Sequence, residues 1–373
     1  MKVELHLVQN FSPACLNRDD TNSPKDCEFG GYRRARISSQ CLKRAIRWDP
    51  AFRETLADHL SIRSRRFPTA VAQNLGNIGV SEEQASAVGA ALESIARRQT
   101  GAQSPAASAS GQYDLSIFRT PQSVFYTDKE VQLCTEKIQS ELSDKADIPK
   151  IVQGLRFPTP RSADIAMFGR MVTSNAFENI DGACQVAHAI STNQVSMETD
   201  YFTAVDDLQP DDESGADMIG IVGFNSSCFY RYSLIDMSVL HQNIDDQELE
   251  LLTLRAFLKA SIAAIPSGKQ NSMAAYNPPE AMLAVVRSGG SPVSLANAFA
   301  RPVRPSRDRS LIQTSVEALD EYWGQITKVY GEDGLIARPI CLVTPANLDA
   351  LGDQRVETAG DLIDSVLAAV EDN

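Results

Sequence analysis

The run from Gly30 to Arg47 (GGYRRARISSQCLKRAIR) constrains this chain more than any other stretch, because it dictates both a local fold and a need for a partner. It carries six Arg or Lys and no acid inside a chain of 373 residues whose net charge is -13. Its first half alternates as a strand does, with Tyr32, Arg34 and Arg36 on one face and Ala35 and Ile37 on the other. Its second half reads as a helix: Ser38 or Ser39 is a good N-cap, and Gln40 to Arg47 follow. On that helix Leu42, Ala45 and Ile46 face a core, while Gln40, Lys43, Arg44 and Arg47 share the other side. A helix start offers free N–H groups and a partial positive charge to an anion, so hydroxyls, an amide and cations gathered there form a phosphate cradle. The alternative is a solvated basic face on an ordinary helix.

At 43% hydrophobic residues the chain can bury one large or two modest domains. No apolar run reaches the ~18 residues of a membrane span, and Met1 to Val8 reads as a first strand rather than a signal peptide. Seven dispersed cysteines, none in a CxxC, argue for neither zinc nor a disulfide framework, which makes a reducing cytoplasm the expected compartment. The acidic total does not exclude a polyanion, since binding follows where charge sits.

Taken in order, Val3, Leu5 and Leu7 alternate with polar residues and predict a strand with one buried face, Glu4, His6 and Val8 lying outward. Phe11 to Phe29 predicts a polar loop. Ala51 to Arg98 predicts helices, with a capping box at Ser81 to Gln84, and 100–112 a low-complexity loop. A short strand at Val124 to Tyr126 and a helix from Asp128 to Lys145 follow. Ala163 to Phe168 is expected as a strand, and Asp181 onward as a helix burying Ala183, Val186, Ala187 and Ile190, with His188 a structural histidine. Tyr201 to Val205 and Ser227 to Tyr232 are expected as the two arms of a protruding hairpin around an acidic insert. Helices at Gln247 to Ile265, Leu311 to Tyr330 and Ala359 to Val370, and strands at Met282 to Val286 and Ile340 to Val343, complete the chain.

Catalytic chemistry is sparse. The four histidines (6, 59, 188 and 241) form no HExxH, and there is no P-loop, dinucleotide fingerprint or GxSxG elbow. Asp19 and Asp20 are the best acids: they can bind a divalent metal beside a nucleic acid, or pair with Arg18 or a neighbouring copy's cations. The balance favours a binder, with no catalytic residue, metal or cofactor expected.

Several blocks are similar to one family. SPACLNRDD at 12–20, FGG at 29–31 and RRARISSQCLKRA at 33–45 come first, followed by GRM at 169–171, DGA at 181–183 and YFTAVDD at 201–207. FYRY at 229–232, Lys269-Gln270, AAYNP at 274–278 and SLANAF at 294–299 complete the set. Together they resemble the CasC family, the backbone subunits of type I-E Cascade, a CRISPR RNA-guided surveillance complex. The resemblance spans roughly residues 1–330.

It implies an α+β fold: a modified RRM-like (ferredoxin-like) palm with a helical finger insertion and a protruding β-hairpin thumb. The boundaries expected are palm at 1–50, fingers at 51–160, palm at 161–195, thumb at 196–232 and palm again at 233–373. Copies would polymerise head to tail along the guide's spacer, each thumb displacing one nucleotide. Carried over by position, Arg18, Lys25, Ser38, Gln40, Lys43 and Arg47 are guide-backbone contacts, and Met171, Phe202 and Thr203 lie beside the kinked base. Arg34, Arg36 and Arg44 of the basic run and Lys269 join the RNA-binding set. The implied partners are CRISPR RNA, target DNA through the guide, neighbouring copies, and the large, small, 5′-end-capping and RNA-processing subunits, with no membrane. Relatives in type III complexes cut RNA with a loop aspartate, so a ribonuclease using Asp19 and Asp20 is the second reading. A metabolic α/β protein with a chance basic patch is the third.

Overall fold

The computed structural model describes residues 1–100, 114–143, 146–156, 161–172, 177–204 and 218–373. The chain forms two compact units. Met1–Thr55, Gln185–Met237 and Leu251–Asn373 make the first, and Leu56–Cys184 with Ser238–Glu250 the second. Among the described residues no helix is long and apolar enough to cross a membrane.

The first unit opens with β1 (Lys2–Asn10), β2 (Asp26–Phe29), β3 (Tyr32–Ile37), α1 (Ser39–Trp48) and α2 (Pro50–Thr55). The second contains β4 (Ile62–Ser64), α3 (Phe67–Asn77), α4 (Glu82–Thr100), β5 (Val124–Tyr126), α5 (Asp128–Glu141), α6 (Ile148–Gln153) and α7 (Ala163–Phe168). Then follow β6 (Cys184–Val186), β7 (Ala189–Ser191), β8 (Glu198–Ala204), β9 (Met218–Phe224), β10 (Cys228–Asp236), α8 (Met237–Ile244) and α9 (Gln247–Ala263). The chain closes with α10 (Gln270–Met273), β11 (Ala281–Arg287), α11 (Leu311–Tyr330), β12 (Leu335–Ala337), β13 (Ile340–Leu342) and α12 (Ala359–Glu371).

The architecture is mixed α+β on a central antiparallel sheet, with strand order β12-β11-β1-β10-β7-β3-β2 and β13 also paired to β11. β1 lies at its centre, His6 facing Tyr232 on one side and Leu283 on the other. The expected outward face of β1 is corrected: Glu4, His6 and Val8 are as buried as Val3, Leu5 and Leu7. The cover is α11 and the 3-10 turn Leu295–Phe299, whose Val316, Leu319, Trp323, Leu295 and Phe299 pack with Val8 and Tyr230. A Ser310–Gln313 capping box starts α11. Each large side chain buried there contributes about 1.5–3 kcal/mol.

Burying a carboxylate and an imidazole requires partners. Glu4 Oε1 accepts from Arg287 Nε (2.9 Å), and its Oε2 from the Tyr232 hydroxyl (2.8 Å) and Val293 N–H (2.7 Å). The Tyr230 hydroxyl accepts from Leu295 N–H (2.9 Å) and shares a hydrogen bond of 2.8 Å with His6 Nδ1. Burial, with the Arg287 charge second, holds His6 down at about 3, and it stays neutral.

The second unit packs Phe67, Val71, Leu75, Val88, Leu92, Tyr126, Val131, Cys134 and Ile138 into its own core. Arg170 and Glu130 form a buried ion pair at 2.8 Å. The helix from Asp128 ends at Glu141, its Val131, Cys134 and Ile138 inward as expected. Helices occupy most of residues 51–98, interrupted by β4.

Three further expectations are corrected. Ala163–Phe168 is a helix: Ala163 to Met167 are all buried, so no polar face reveals the period, and Gly169 (φ 81°) ends it. The helix expected from Asp181 is replaced by β6 and β7, because Ala189 to Ser191 are buried on both faces between β10 and β3. The arm returning from Tyr201 is Met218–Phe224, while Cys228 to Tyr232 belong to the central strand β10. Residues 101–112 and the acidic insert lie outside the described residues.

The His6 network has a pH signature. An unfolded histidine protonates near 6.5 and the buried one only near 3, so the unfolded state binds the extra proton between those values. Stability therefore falls as pH drops through that window, approaching ~1 kcal/mol per unit between pH 6 and 5. Urea midpoints of wild type and His6→Phe at these pH values check it: the variant loses that part of the slope.

Candidate nucleic-acid interface

The loop between β1 and β2 is folded onto the start of α1, and Asn17 holds it there. Asn17 O accepts Lys25 N–H (2.9 Å), and Asn17 Oδ1 accepts Ser38 N–H (2.8 Å). Ser38, buried and extended, caps α1 by accepting Cys41 N–H at 3.4 Å. The first turn of α1 contains no acid and Leu42 and Ile46 anchor its inner face, so exposed Gln40 and Arg44 face away from the core. Lys43 and Arg47 are half-buried on the same helix.

Cations converge on this loop from three segments. Burial pushes the Cys15 thiol up, while Arg18 and Lys269 are close enough to pull it back. Burial likewise raises Cys41, opposed by Arg44 and Lys25. Lys269 arrives through a close approach: a Cβ on Gly268 would sit 2.5 Å from Leu16 O. Lys269 itself is left-handed (φ 54°), a conformation that costs a non-glycine residue on the order of 1 kcal/mol. Beside them lies an open cleft of about 710 Å³ lined by Asn17, Arg18, Asp19, Arg44 and Trp48.

Arg36 continues the surface, its Nη1 3.2 Å from His188 Nδ1 and its Nε donating to Asp26 O. His188 is exposed, with the Arg36 contact its partner. Arg34 is corrected. It is fully buried, with Nη1 donating to Ser191 O (2.8 Å) and Thr192 O (3.1 Å), and Nη2 to Phe299 O (2.6 Å) and Ala300 O (3.2 Å). The face of β3 that was to present it is covered by the segment after the 3-10 turn, so Arg34 is a structural clamp and not a polyanion contact. Gly30 (φ 62°) makes the same approach possible, since a Cβ there would lie 1.9 Å from Ala300 O.

The hairpin β8–β9 is rooted on this loop. Ala14 and Asn225 form a bridge, Phe11 N–H donates to Ser227 O, and a Cβ on Gly223 would touch Pro24. Phe202 lies across the ribbon over its partner Gly220, where a Cβ would be 2.3 Å from the ring. Thr203, one residue on, faces the opposite side. Met171 is 93% exposed and belongs to the second unit.

Asp19 Oδ1 accepts Thr21 N–H, the Thr21 hydroxyl and Ser23 N–H, and the hydroxyl contact above all holds it below the usual carboxylate range. It folds its own loop. Among the described residues no cluster of three or more His, Cys, Asp or Glu could hold a metal ion.

Two contributors carry little sequence signal. Asn17 stands inside the SPACLNRDD block, but its residue type alone does not mark it as the side chain that pins the loop. Trp48 is half-exposed, stacked under Arg53 (4.4 Å) and beside Arg44 (6.0 Å), and only its position after the basic helix hints at this.

A mixed α+β fold on a central antiparallel sheet, with several helices packed on it, is the fold class of a CasC-type Cascade backbone protein. The family's profile makes the assignment definite: the chain belongs to the CT1975-like protein family, matched over residues 3–368. A solved chain described as "CRISPR RNA-guided surveillance complex, pre-nicking" is similar at 26% identity and TM-score 0.80, covering 99% of this chain and 100% of that one. A second, "CRISPR RNA-guided surveillance complex", is similar at 25% identity and TM-score 0.62 with the same coverage. No curated protein sequence matches the chain.

Arg34→Ala leaves four carbonyls short of donors and should cost about 2–4 kcal/mol, read as a lowered urea midpoint. Arg34→Lys recovers only part of it, because an ammonium cannot span both carbonyl pairs.

Proposed function

We propose that this protein is a non-enzymatic backbone subunit of a type I-E Cascade complex that binds CRISPR RNA and presents it for pairing with target DNA. The observation that carries the reading is the gathering of Arg18, Lys25, Lys269, Gln40 and Arg44 around one capped helix start, in a chain of this family. Cations and free N–H groups there hold phosphates without reading bases, and Watson–Crick pairing supplies the sequence information. Copies polymerise head to tail along the spacer. On this reading each copy displaces one nucleotide of the guide, bordered by Phe202 and Thr203 on the two faces of the hairpin; Met171, exposed on the second unit, is given the same role by its position in the sequence. Large, small, 5′-end-capping and RNA-processing subunits complete the assembly, in the cytoplasm and away from membranes.

The ribonuclease reading is not favoured, because Asp19 is committed to its own loop.

Co-expression with a guide tests the proposal. Wild type should copurify with RNA of discrete length, and Lys43→Glu with Arg47→Glu should lose most of it, by about tenfold or more at moderate salt. Full RNA retention by that double variant would overturn the assignment. Asp19→Asn should leave target RNA uncut, as wild type does, when the complex is incubated with Mg²⁺; regularly spaced, Asp19-dependent cuts would restore the nuclease reading.

A further inference from the structure

A second cluster suited to nucleic acid lies apart from the α1 rim in the chain, wholly within the second unit. Strands β4 and β5 pair there, and Arg63 faces Phe125 directly across the ribbon. Val124 and Tyr126 pack into that unit's core, so alternation turns Phe125 to the other face, where it is half-buried. The exposed Arg63 guanidinium lies over the Phe125 ring at 5.5 Å, and among the described residues it has no ion-pair partner. An arginine stacked on an aromatic ring has its plane fixed while its outer face stays in solvent, a surface on which an unpaired base can stack.

The platform is held from beneath. Arg170, buried with Glu130, donates from Nη1 to Phe125 O (3.3 Å) and from Nε to Glu178 O (3.0 Å), and its Nη2 has no partner. Gly169 (φ 81°) turns the chain beside it, and a Cβ there would lie 3.0 Å from Ile180 O. Two residues on, Met171 emerges almost fully exposed. Gln122 is exposed as well, and among the described residues its side-chain amide has no partner. These groups line an open cleft of about 450 Å³ whose described lining contains no acid, a volume ordinary for a small-ligand site.

The parts of the lining define what it accepts. An unpaired arginine without a carboxylate favours an anion, and a flat cation on an aromatic ring favours a planar group. A thioether suits the edge of an aromatic ring, and a free amide can donate or accept. An acidic peptide would answer the charge and leave the stacked plane unused, whereas a nucleotide answers both.

We propose that this cleft takes one unpaired nucleobase of the guide, stacked on the outer face of Arg63, with Met171 at its edge and Gln122 hydrogen-bonded to it. The inference rests on the guide binding proposed above and adds a contact to a base where the α1 rim addresses phosphates. It tolerates any base, because every base has a stacking face and the amide can turn to suit its edge.

Photocrosslinking tests it. The full chain is co-expressed with a guide in which thiouridine replaces part of the uridine, and the purified complex is irradiated with near-ultraviolet light. Peptides carrying Phe125 or Met171 should be labelled, as should the α1 peptide, which serves as the internal reference. Phe125→Leu and Arg63→Lys should each keep the wild-type melting temperature and guide content but lower labelling of this cleft, relative to α1, about fivefold or more. Arg63→Lys is the sharper of the two, since it keeps the charge and removes the plane. Labelling of α1 without labelling of the cleft would overturn the proposal, and so would cleft labelling that neither variant changes. Loss in Phe125→Leu with full labelling in Arg63→Lys would overturn the stacked arginine. Cleft labelling from a thiouridine-bearing target strand, but not from the guide, would overturn the choice of strand. A wild type that copurifies with no guide sinks the proposed function, whereas a guide-loaded wild type labelled only at α1 sinks this inference alone.

Discussion

The Arg34 guanidinium is the interaction on which the first unit's functional edge depends. It is a buried cation with no carboxylate ion pair among the described residues; its Nη1 and Nη2 donate instead to carbonyls of Ser191, Thr192, Phe299 and Ala300, and its Nε is left without a partner. Such a site suits arginine, whose delocalised charge is weakly hydrated and whose donors point two ways in one plane. Burial lowers its basicity, but from a level at which it remains protonated. One side chain thereby ties β3 to the end of β7 and to the segment leading into α11. The strand that feeds α1 is fixed in consequence, and with it the helix start where the cations collect.

This clamp explains why charge counting along the basic run misleads at one position. Arg33, Arg34 and Arg36 read alike in the sequence, yet Arg33 pairs with Asp26 at the surface, Arg34 is a core residue, and Arg36 borders His188. Alternation assigned Arg34 to the polar face correctly as a matter of direction. What it lacks is knowledge of the distant Ala300 backbone that covers that face, brought close because Gly30 has no Cβ to prevent it.

The same logic separates the legible parts of the fold from the illegible ones. α11 runs over the residues its apolar stripe predicts, and α5 starts at the cap Thr127 provides, because each has one buried and one wet face. α7 and β7 depart from the expected elements because they are buried on all sides, and a segment with no polar face carries no period. The hairpin was half legible: Tyr201 to Ala204 declared a strand, but its partner Met218–Phe224 contains two glycines, and the more β-prone Cys228 to Tyr232 serve the central sheet instead. In the site, the basic run and Lys269 were visible as charge. Asn17, which sets their geometry through two hydrogen bonds, was not.

The burial of β1 on both faces has a consequence for chemistry. An RRM of the usual kind stacks bases on the open face of its sheet. Here that face is filled by Trp323, Val316 and Leu319 of α11, and its polar residues Glu4 and His6 are spent on Arg287, Tyr232 and Tyr230. On the proposed function, a strand of nucleic acid lies along the rim of the sheet: the start of α1, the loop pinned by Asn17, Lys269 and the root of the hairpin. Cations and backbone N–H groups suit phosphates rather than base edges, so a strand held there would keep its bases available for pairing. Closing the sheet with α11 and opening the rim with cations are thus two halves of one arrangement, one that suits the proposed role of ordering a polyanion while its sequence is read by another strand.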